Sequence, residues 1–298
     1  MTERHTPRVS IGLPVHNGEN FVSDALDSLI AQTFTDLEII ITDNASTDGT
    51  EEICRDHVAR DPRISYFRSD KNQGAARNFN HAFELASGEY YKWSAHDDRH
   101  APEFVERCVT ILDQEPSVVL CFSRTDFIDH EGRSLGEYKL PFDMTTCSSR
   151  ELFRYFATSG HIPNEFYGLI RSDALRKSPL VGGYVGSDLV MLGVLALQGR
   201  FHIIDDVLFQ HREHPKRAAT SGGAQEFTNW YDSSKSGRFA MPFWRRILEN
   251  IKSVARAPIG PRDKLLSLWD ICRTANWNRR KLWEDIVKVV RRNIGQHG

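Results

Sequence analysis

A doubly wound, mostly parallel α/β sheet flanked by helices, with a helical extension at its C-terminal end, is the architecture this sequence predicts. Three observations carry it. Five short runs rich in aliphatic and aromatic residues, at 9–15, 37–42, 64–68, 90–94 and 118–123, are bounded by polar turn residues. Segments with helical apolar spacing separate these runs, and strands alternating with helices are the mark of parallel crossovers. From Phe243 onward the pattern is helical, broken by Pro258, Gly260 and Pro261.

In chain order, VSIGLPV (9–15) reads as a buried strand, closed by Pro14 and Asn17-Gly18. Phe21, Val22, Ala25, Leu26, Leu29 and Ile30 then fall on one helical face. LEIIIT (37–42) is a second strand, and DNASTDGT (43–50) is all turn and cap chemistry, leading into a helix to about Arg60. ISYFR (64–68) is a third strand. Ala75, Phe79, Ala82, Phe83 and Ala86 share the apolar face of a helix over 74–86. A fourth strand covers 90–94, Pro102 suits the first turn of a helix to about Gln114, and 118–123 is a fifth strand. Beyond residue 124 the regularity weakens. Residues 124–150 read as loop and edge strand, 151–158 and 187–198 as helices, 201–209 as a strand, and 215–237 as a polar, Gly/Ser-rich mobile loop.

Composition limits the function. The 298 residues are 40% hydrophobic and 26% charged, enough apolar material for a core. The formal net charge of −2 excludes a protein that coats nucleic acid over its whole surface. It conceals a division: residues 1–237 carry 24 basic and 35 acidic side chains, residues 238–298 carry 14 and 5. The longest apolar stretch, about 189–197, is under half of the roughly 20 residues that cross a bilayer. The start lacks the apolar segment of a secretory signal. Five scattered cysteines with no C-x-x-C pair point away from disulfides and cysteine-bound zinc, toward a reducing, cytoplasmic compartment.

In an open parallel sheet, ligands gather at the carboxyl ends of the strands. The loops there are Pro14-Val15-His16-Asn17-Gly18-Glu19, Asp43-Asn44-Ala45-Ser46-Thr47-Asp48 and Ala95-His96-Asp97-Asp98. The adjacent carboxylates of Asp97 and Asp98 fit either a hard divalent cation or the N-terminus of the following helix. His96 and His100 are spaced like zinc ligands, but no metalloprotease-type glutamate accompanies them. No glycine cradle for phosphate follows the first strand, which speaks against dinucleotide binding, P-loop chemistry and nucleotidyl transfer. Phosphate would then fall to metal and to basic side chains, with Lys71, Arg77 and Arg212 as candidates.

VSIGLPVHNGENF, QTFTDLEIIITDNASTDGT, NQGAARNFNHAFELASGEY and WSAHDDRHAPEF together resemble glycosyltransferase family 2, closely over about 8–125 and loosely to about 217. The resemblance implies the GT-A fold, a nucleotide-sugar donor, a divalent metal (Mn2+ or Mg2+) and inversion at the anomeric carbon. It divides the chain into a nucleotide-sugar-binding half (1–125), an acceptor-binding half with the catalytic base (126–237) and a basic helical extension (238–298). It places Pro14, Val15, His16, Asn17, Glu19, Asp43 and Asn44 around the nucleotide, Arg77 by the diphosphate, Asp97 at the ribose or the metal, and Asp98 on the metal. Asn44 replaces an aspartate that reads uracil, Ala95 replaces the first aspartate of the D-x-D element, and Ser187 replaces a glutamate beside the retained base, Asp188. In HREHP, His214 is the implied metal ligand, with His211 as the alternative.

For the acceptor, a glycan or lipid-linked saccharide, His161, Asn164, Glu165 and Trp230 are candidate contacts. The basic extension fits a membrane-surface element, packing against the acidic body, or a homodimer contact. A non-catalytic nucleotide-sugar-binding relative is the competing function.

Overall fold

The computed structural model describes residues 6–140, 142–158, 161–215, 230–231 and 241–295, excluding the side chains of Pro242 and of residues 288–295. Most of the loop expected at 215–237 lies outside the described residues. The chain begins with β1 (Val9–Val15), α1 (Val22–Ile30), β2 (Leu37–Asp43), α2 (Thr50–Arg60), β3 (Ile64–Arg68), α3 (Ala75–Glu84) and β4 (Tyr90–Trp93). It continues through β5 (Arg99–His100), α4 (Phe104–Gln114), β6 (Val118–Ile128), β7 (Ser134–Glu137), α5 (Ser149–Thr158), β8 (Leu169–Arg171), α6 (Ser172–Arg176), α7 (Ser187–Ala196) and β9 (Arg200–Arg212). Three helices close it: α8 (Pro242–Arg256), α9 (Pro261–Trp277) and α10 (Arg279–Gly295).

Among the described residues the strands form one nine-stranded sheet in the order β3-β2-β1-β4-β8-β6-β9-β5, with β7 paired to β6. The first four strands are parallel, and Val15 of β1 lies opposite Asp43 of β2. This register brings the loops after β1, β2 and β4 to one edge. Alternate residues face opposite layers, as a strand requires. Val9, Ile11, Leu13 and Tyr90 pack with α1, α2 and α4. Tyr91 and Trp93 face the other way, toward α3, α5 and α7. From Leu189 to Ala196 every residue of α7 is buried, the pattern of a helix enclosed on all sides.

Four details differ from the sequence reading. Helix α4 starts at Phe104, so Pro102 lies before it and Asp98 is not its cap. Strands β6 and β9 run on to Ile128 and Arg212 through polar residues, because each satisfies the other's backbone groups across three register shifts. The two-residue β5 and three-residue β8 are too short to show periodicity. Last, the sheet is mixed, since β8 enters antiparallel between β4 and β6.

The C-terminal helices pack on the body. Val254, Ala257 and Ile271 join Phe153, Ala157 and Leu197 in a third apolar cluster. Arg150 reaches Asp270 at 3.0 Å, and Trp244 Nε1 donates to the Leu282 carbonyl at 3.0 Å.

Lys92 is fully buried in β4, with Nζ 3.1 Å from the Trp93 carbonyl and 2.9 Å from His100 Nε2. Burial pushes its ammonium down to about 7 and holds the His100 imidazole well below its usual value. Above pH 7 the unfolded chain therefore binds a proton at Lys92 that the folded chain releases, so this group makes stability rise with pH from about 7 toward 10. Lys92→Met removes that term and leaves His100 and one carbonyl without a partner. The expected net gain at pH 7 is about 2 kcal/mol, with a flatter profile between pH 7 and 10, read from urea unfolding at several pH values.

Candidate active site

A cavity of about 1050 Å³ opens where the loops after β1, β2 and β4 meet α7, α8 and α9. At one end stand Pro14, Val15, His16, Asn17 and Asn44. Asn17 adopts a left-handed backbone (φ 54), which an asparagine tolerates. It is strapped to the neighbouring loop by Asn17 N donating to Ser46 Oγ (2.9 Å) and Thr47 N donating to Asn17 Oδ1 (2.8 Å). This fixes His16, whose Nε2 lies 3.0 Å from Asn72 Nδ2. A side chain at Gly18 would come within 2.6 Å of the His96 ring, so this wall requires glycine. The Asn44 amide works inside the protein: Oδ1 accepts from Gln73 N (2.8 Å), and Nδ2 donates to Asn72 Oδ1 (3.0 Å) and the Gly74 carbonyl (3.3 Å). It thus shapes the wall that Asn72, Asn78 and Phe79 complete.

Asp97 and Asp98 line the middle of the cavity with His96, His211 and His214. Asp97 Oδ2 lies 3.0 Å from His214 Nε2. Burial alone would raise the Asp97 carboxyl, but His96, His214 and His211 outweigh it and hold the group well below the carboxylate range. Asp98 is buried and its Oδ1 accepts from the Arg212 backbone N–H at 2.8 Å. Among the described residues no group of three or more His, Cys, Asp or Glu side chains is gathered so as to hold a metal ion by itself. Mg2+ and related ions need none, because one or two carboxylates and substrate phosphates suffice. Asp97 and His214, in contact at 3.0 Å, with Asp98 next in the chain, would supply the kind of ligands such an ion takes.

The far end holds Asp188, His161, Trp230, Tyr231, Phe243 and Arg246. Gly186, at φ +83, turns the chain into α7 in a conformation that other residues adopt only at a cost. The turn sets Asp188 in the helix's first turn, where Oδ1 accepts from Leu189 N at 2.8 Å. Asp188 therefore has a cap-like contact and also faces the cavity. Burial raises its proton affinity above that of an ordinary carboxylate, against the opposing pull of the Leu189 amide, Arg246 and His161. His161 Nε2 lies 3.3 Å from Glu165 Oε2, and Glu165 is fully buried.

Several expected residues do not reach the cavity wall. Arg77 is exposed and spends its guanidinium on Glu84, with both contacts at 2.7 Å. Lys71 is exposed outside the wall. Asp43 is buried, accepting from Tyr66 OH (2.6 Å) and Ser46 N (2.8 Å), so it braces the loop. Glu19 accepts from Gly49 N at 2.9 Å. Asn164 and Glu165 are buried behind His161. Arg212 is a strut: Nε donates to the Asp97 carbonyl (2.8 Å), one terminal nitrogen to the Asp129 and His130 carbonyls (3.2 Å each), and the other to Asp24 (2.8 Å). These bonds use most of its N–H groups within the protein, in place of the phosphate contact expected from sequence. Arg246 was hidden in the sequence as one more cation of an amphipathic stripe. Only the packing of α8 on α7 brings it beside Asp188.

The sequence matches the profile of glycosyl transferase family 2 over residues 10–178. An uncharacterized glycosyltransferase of Rickettsia typhi is 34% identical over 132 residues, 44% of this chain and 40% of that protein. A chondroitin synthase of Escherichia coli is 34% identical over 131 residues, 44% of this chain and 19% of that protein. The chain thus spans less than half the length of these relatives. The crystal structure of S. aureus TarS 1–349 in complex with UDP superposes with a TM-score of 0.65 at 16% identity, covering 90% of this chain and 71% of that one. A mannosyltransferase from Pyrobaculum calidifontis, in complex with GDP-Man and Mn2+, gives 0.54 at 16% identity, covering 93% and 76%. Both likenesses concern the fold.

Proposed function

Since the chain belongs to glycosyl transferase family 2, we propose that it transfers a sugar, with inversion, from a nucleoside-diphosphate donor to a hydroxyl group of a glycan or lipid-linked saccharide. The observation that carries this reading is that one cavity holds both the loops after β1, β2 and β4 and the carboxylate of Asp188. Asp188 accepts the proton of the acceptor hydroxyl as its oxygen attacks the anomeric carbon from the side opposite the diphosphate. The new C–O bond forms, the bond to the diphosphate breaks, and the electron pair leaves with the diphosphate. The raised proton affinity of Asp188 makes it a better base near neutrality than an exposed carboxylate. His161, braced by Glu165, and Trp230 border the acceptor's approach.

Asp98, with Asp97 and His214, would hold Mn2+ or Mg2+, whose chemistry when bound is to neutralise charge on the departing diphosphate. His16, Asn17 and the wall pinned by Asn44 receive the nucleotide. We take its base to be uracil: TarS is described in complex with UDP and with UDP-GlcNAc.

A thermal-shift screen of nucleotide sugars with and without Mn2+ tests this. A true donor at about a hundred times its Kd stabilises by about 2.7 kcal/mol, which raises Tm by roughly 5 °C or more. UDP-sugars should shift Tm, more strongly with Mn2+, and be slowly hydrolysed. If no nucleotide sugar shifts Tm or is turned over, the reading fails. A shift with neither hydrolysis nor transfer would instead favour a binding protein, the reading to which Ser187 beside Asp188 lends some support.

A further inference from the structure

Helices α9 and α10 each have a committed inner face. Ser267, Asp270, Ile271 and Thr274 of α9 are buried, as are Leu282 and Asp285 of α10. Their outer faces are equally definite in the opposite sense. Leu265 is 69% exposed, Trp269 66%, Trp277 67% and Trp283 65%. Leu265, Trp269 and Trp277 follow one another at multiples of four residues, so they share one side of α9. Arg273 lies between them, its guanidinium 4.9 Å from the Trp277 ring centre. Arg262, Arg279 and Arg280 are also exposed on these helices, and Arg279, Arg280, Trp283 and Glu284 border a shallow depression.

We propose that this outer face of α9 and α10 docks on an anionic lipid surface, with the indoles at headgroup depth and the cations on lipid phosphates. Charge complementarity selects this occupant. The segment 238–298 carries 14 basic against 5 acidic residues, whereas the body before it is acidic. An anionic plane would attract the first and repel the second, which orients the molecule. A protein-binding patch concentrates apolar residues in a charge-depleted centre. Here Arg273 lies over the Trp277 ring and Arg279 and Arg280 border the same depression as Trp283, a mixing of aromatic and cationic side chains found where helices lie in a bilayer interface. No helix among the described residues is long and apolar enough to cross a membrane, so contact would be at the surface. Asn278 and Lys281 also line the cavity. Docking would therefore bring that end of the cavity to the headgroups, and only this consequence rests on the transferase reading.

The test is flotation of the full chain with vesicles of phosphatidylcholine alone and of phosphatidylcholine with phosphatidylglycerol. The expected result is binding to the anionic vesicles, a blue shift of tryptophan emission, and weakening as salt rises. Arg273→Gln with Arg280→Gln should lower partitioning about fivefold per cation removed. A triple variant, Trp269→Gln, Trp277→Gln and Trp283→Gln, should abolish the binding. These residues are exposed, and retention of the wild-type Tm and donor-induced shift verifies that the variants fold. No flotation, equal flotation on neutral vesicles, or indifference to the tryptophan changes overturns the proposal. So does a dimer in sedimentation that the triple variant dissociates, which would make the face a contact between copies. Vesicle binding without any donor-induced shift would sink the transferase reading and leave this one standing.

Discussion

Asp188→Asn is expected to lower kcat by about 10²–10⁴-fold while leaving the donor-induced thermal shift intact. The asparagine keeps the shape and the contact with Leu189 N but cannot take a proton. It also removes a charge that burial disfavours, so the variant should be as stable as the wild type or more so. That combination separates a lost base from a damaged fold. The pH profile adds a second check. A base works when deprotonated, and burial raises the pH at which Asp188 releases its proton. The acidic limb of kcat/KM should therefore lie above the ordinary aspartate value of about 3.9, and activity should rise with pH through it. A variant with full activity, or a wild-type limb at the value of an exposed carboxylate, would remove Asp188 from the mechanism.

Arg212→Met should cost about 3 kcal/mol, because it deletes charge-assisted bonds to three backbone carbonyls and Asp24 at a buried position. At this chain length that is a fall in Tm of roughly 6–12 °C. The Asp97-Asp98 loop would lose its strut as well, so the Mn2+-dependent part of the donor shift should shrink along with stability. Arg212→Lys should rescue little of either. An ammonium cannot span directions that the planar guanidinium covers together, nor lie as flat on Phe21, whose ring centre is 4.8 Å away. Full stability in Arg212→Met would show that these bonds are replaceable by water.

The first half of the chain was legible because its signals are local. The aliphatic run 9–15 and the DNASTDGT turn each contain their own reason for becoming strand or loop, and the observed β1 and α2 begin where those signals place them. Parallel register then brings three distant loops together without further information. What the sequence concealed depends on partners remote in the chain. Arg212 reads as a candidate for phosphate until β9 is extended past Phe209 and delivers it to Asp24 and Asp97. Arg77 fits a diphosphate contact until α3 is built, when Glu84 proves to lie two turns along the same helix and takes its charge. Polar residues such as Ser123 and Thr125 interrupt the apolar run of β6, and only the facing strand shows why the chain stays extended.

Helix α7 is enclosed from Leu189 to Ala196 and meets the cavity only near its first turn. Almost any substitution along it would create a void or a clash, so the carboxylate it presents is tied to the integrity of the core. The cavity's opposite wall comes from α8, α9 and α10, which are packed on the body rather than enclosed by it. On the proposed function, the base and the wall facing it thus sit in parts with different tolerance for change: a fixed anvil and an adjustable jaw. A lineage, or a protein engineer, could reshape that cavity through the residues of α8, α9 and α10 that line it while leaving Asp188 in place.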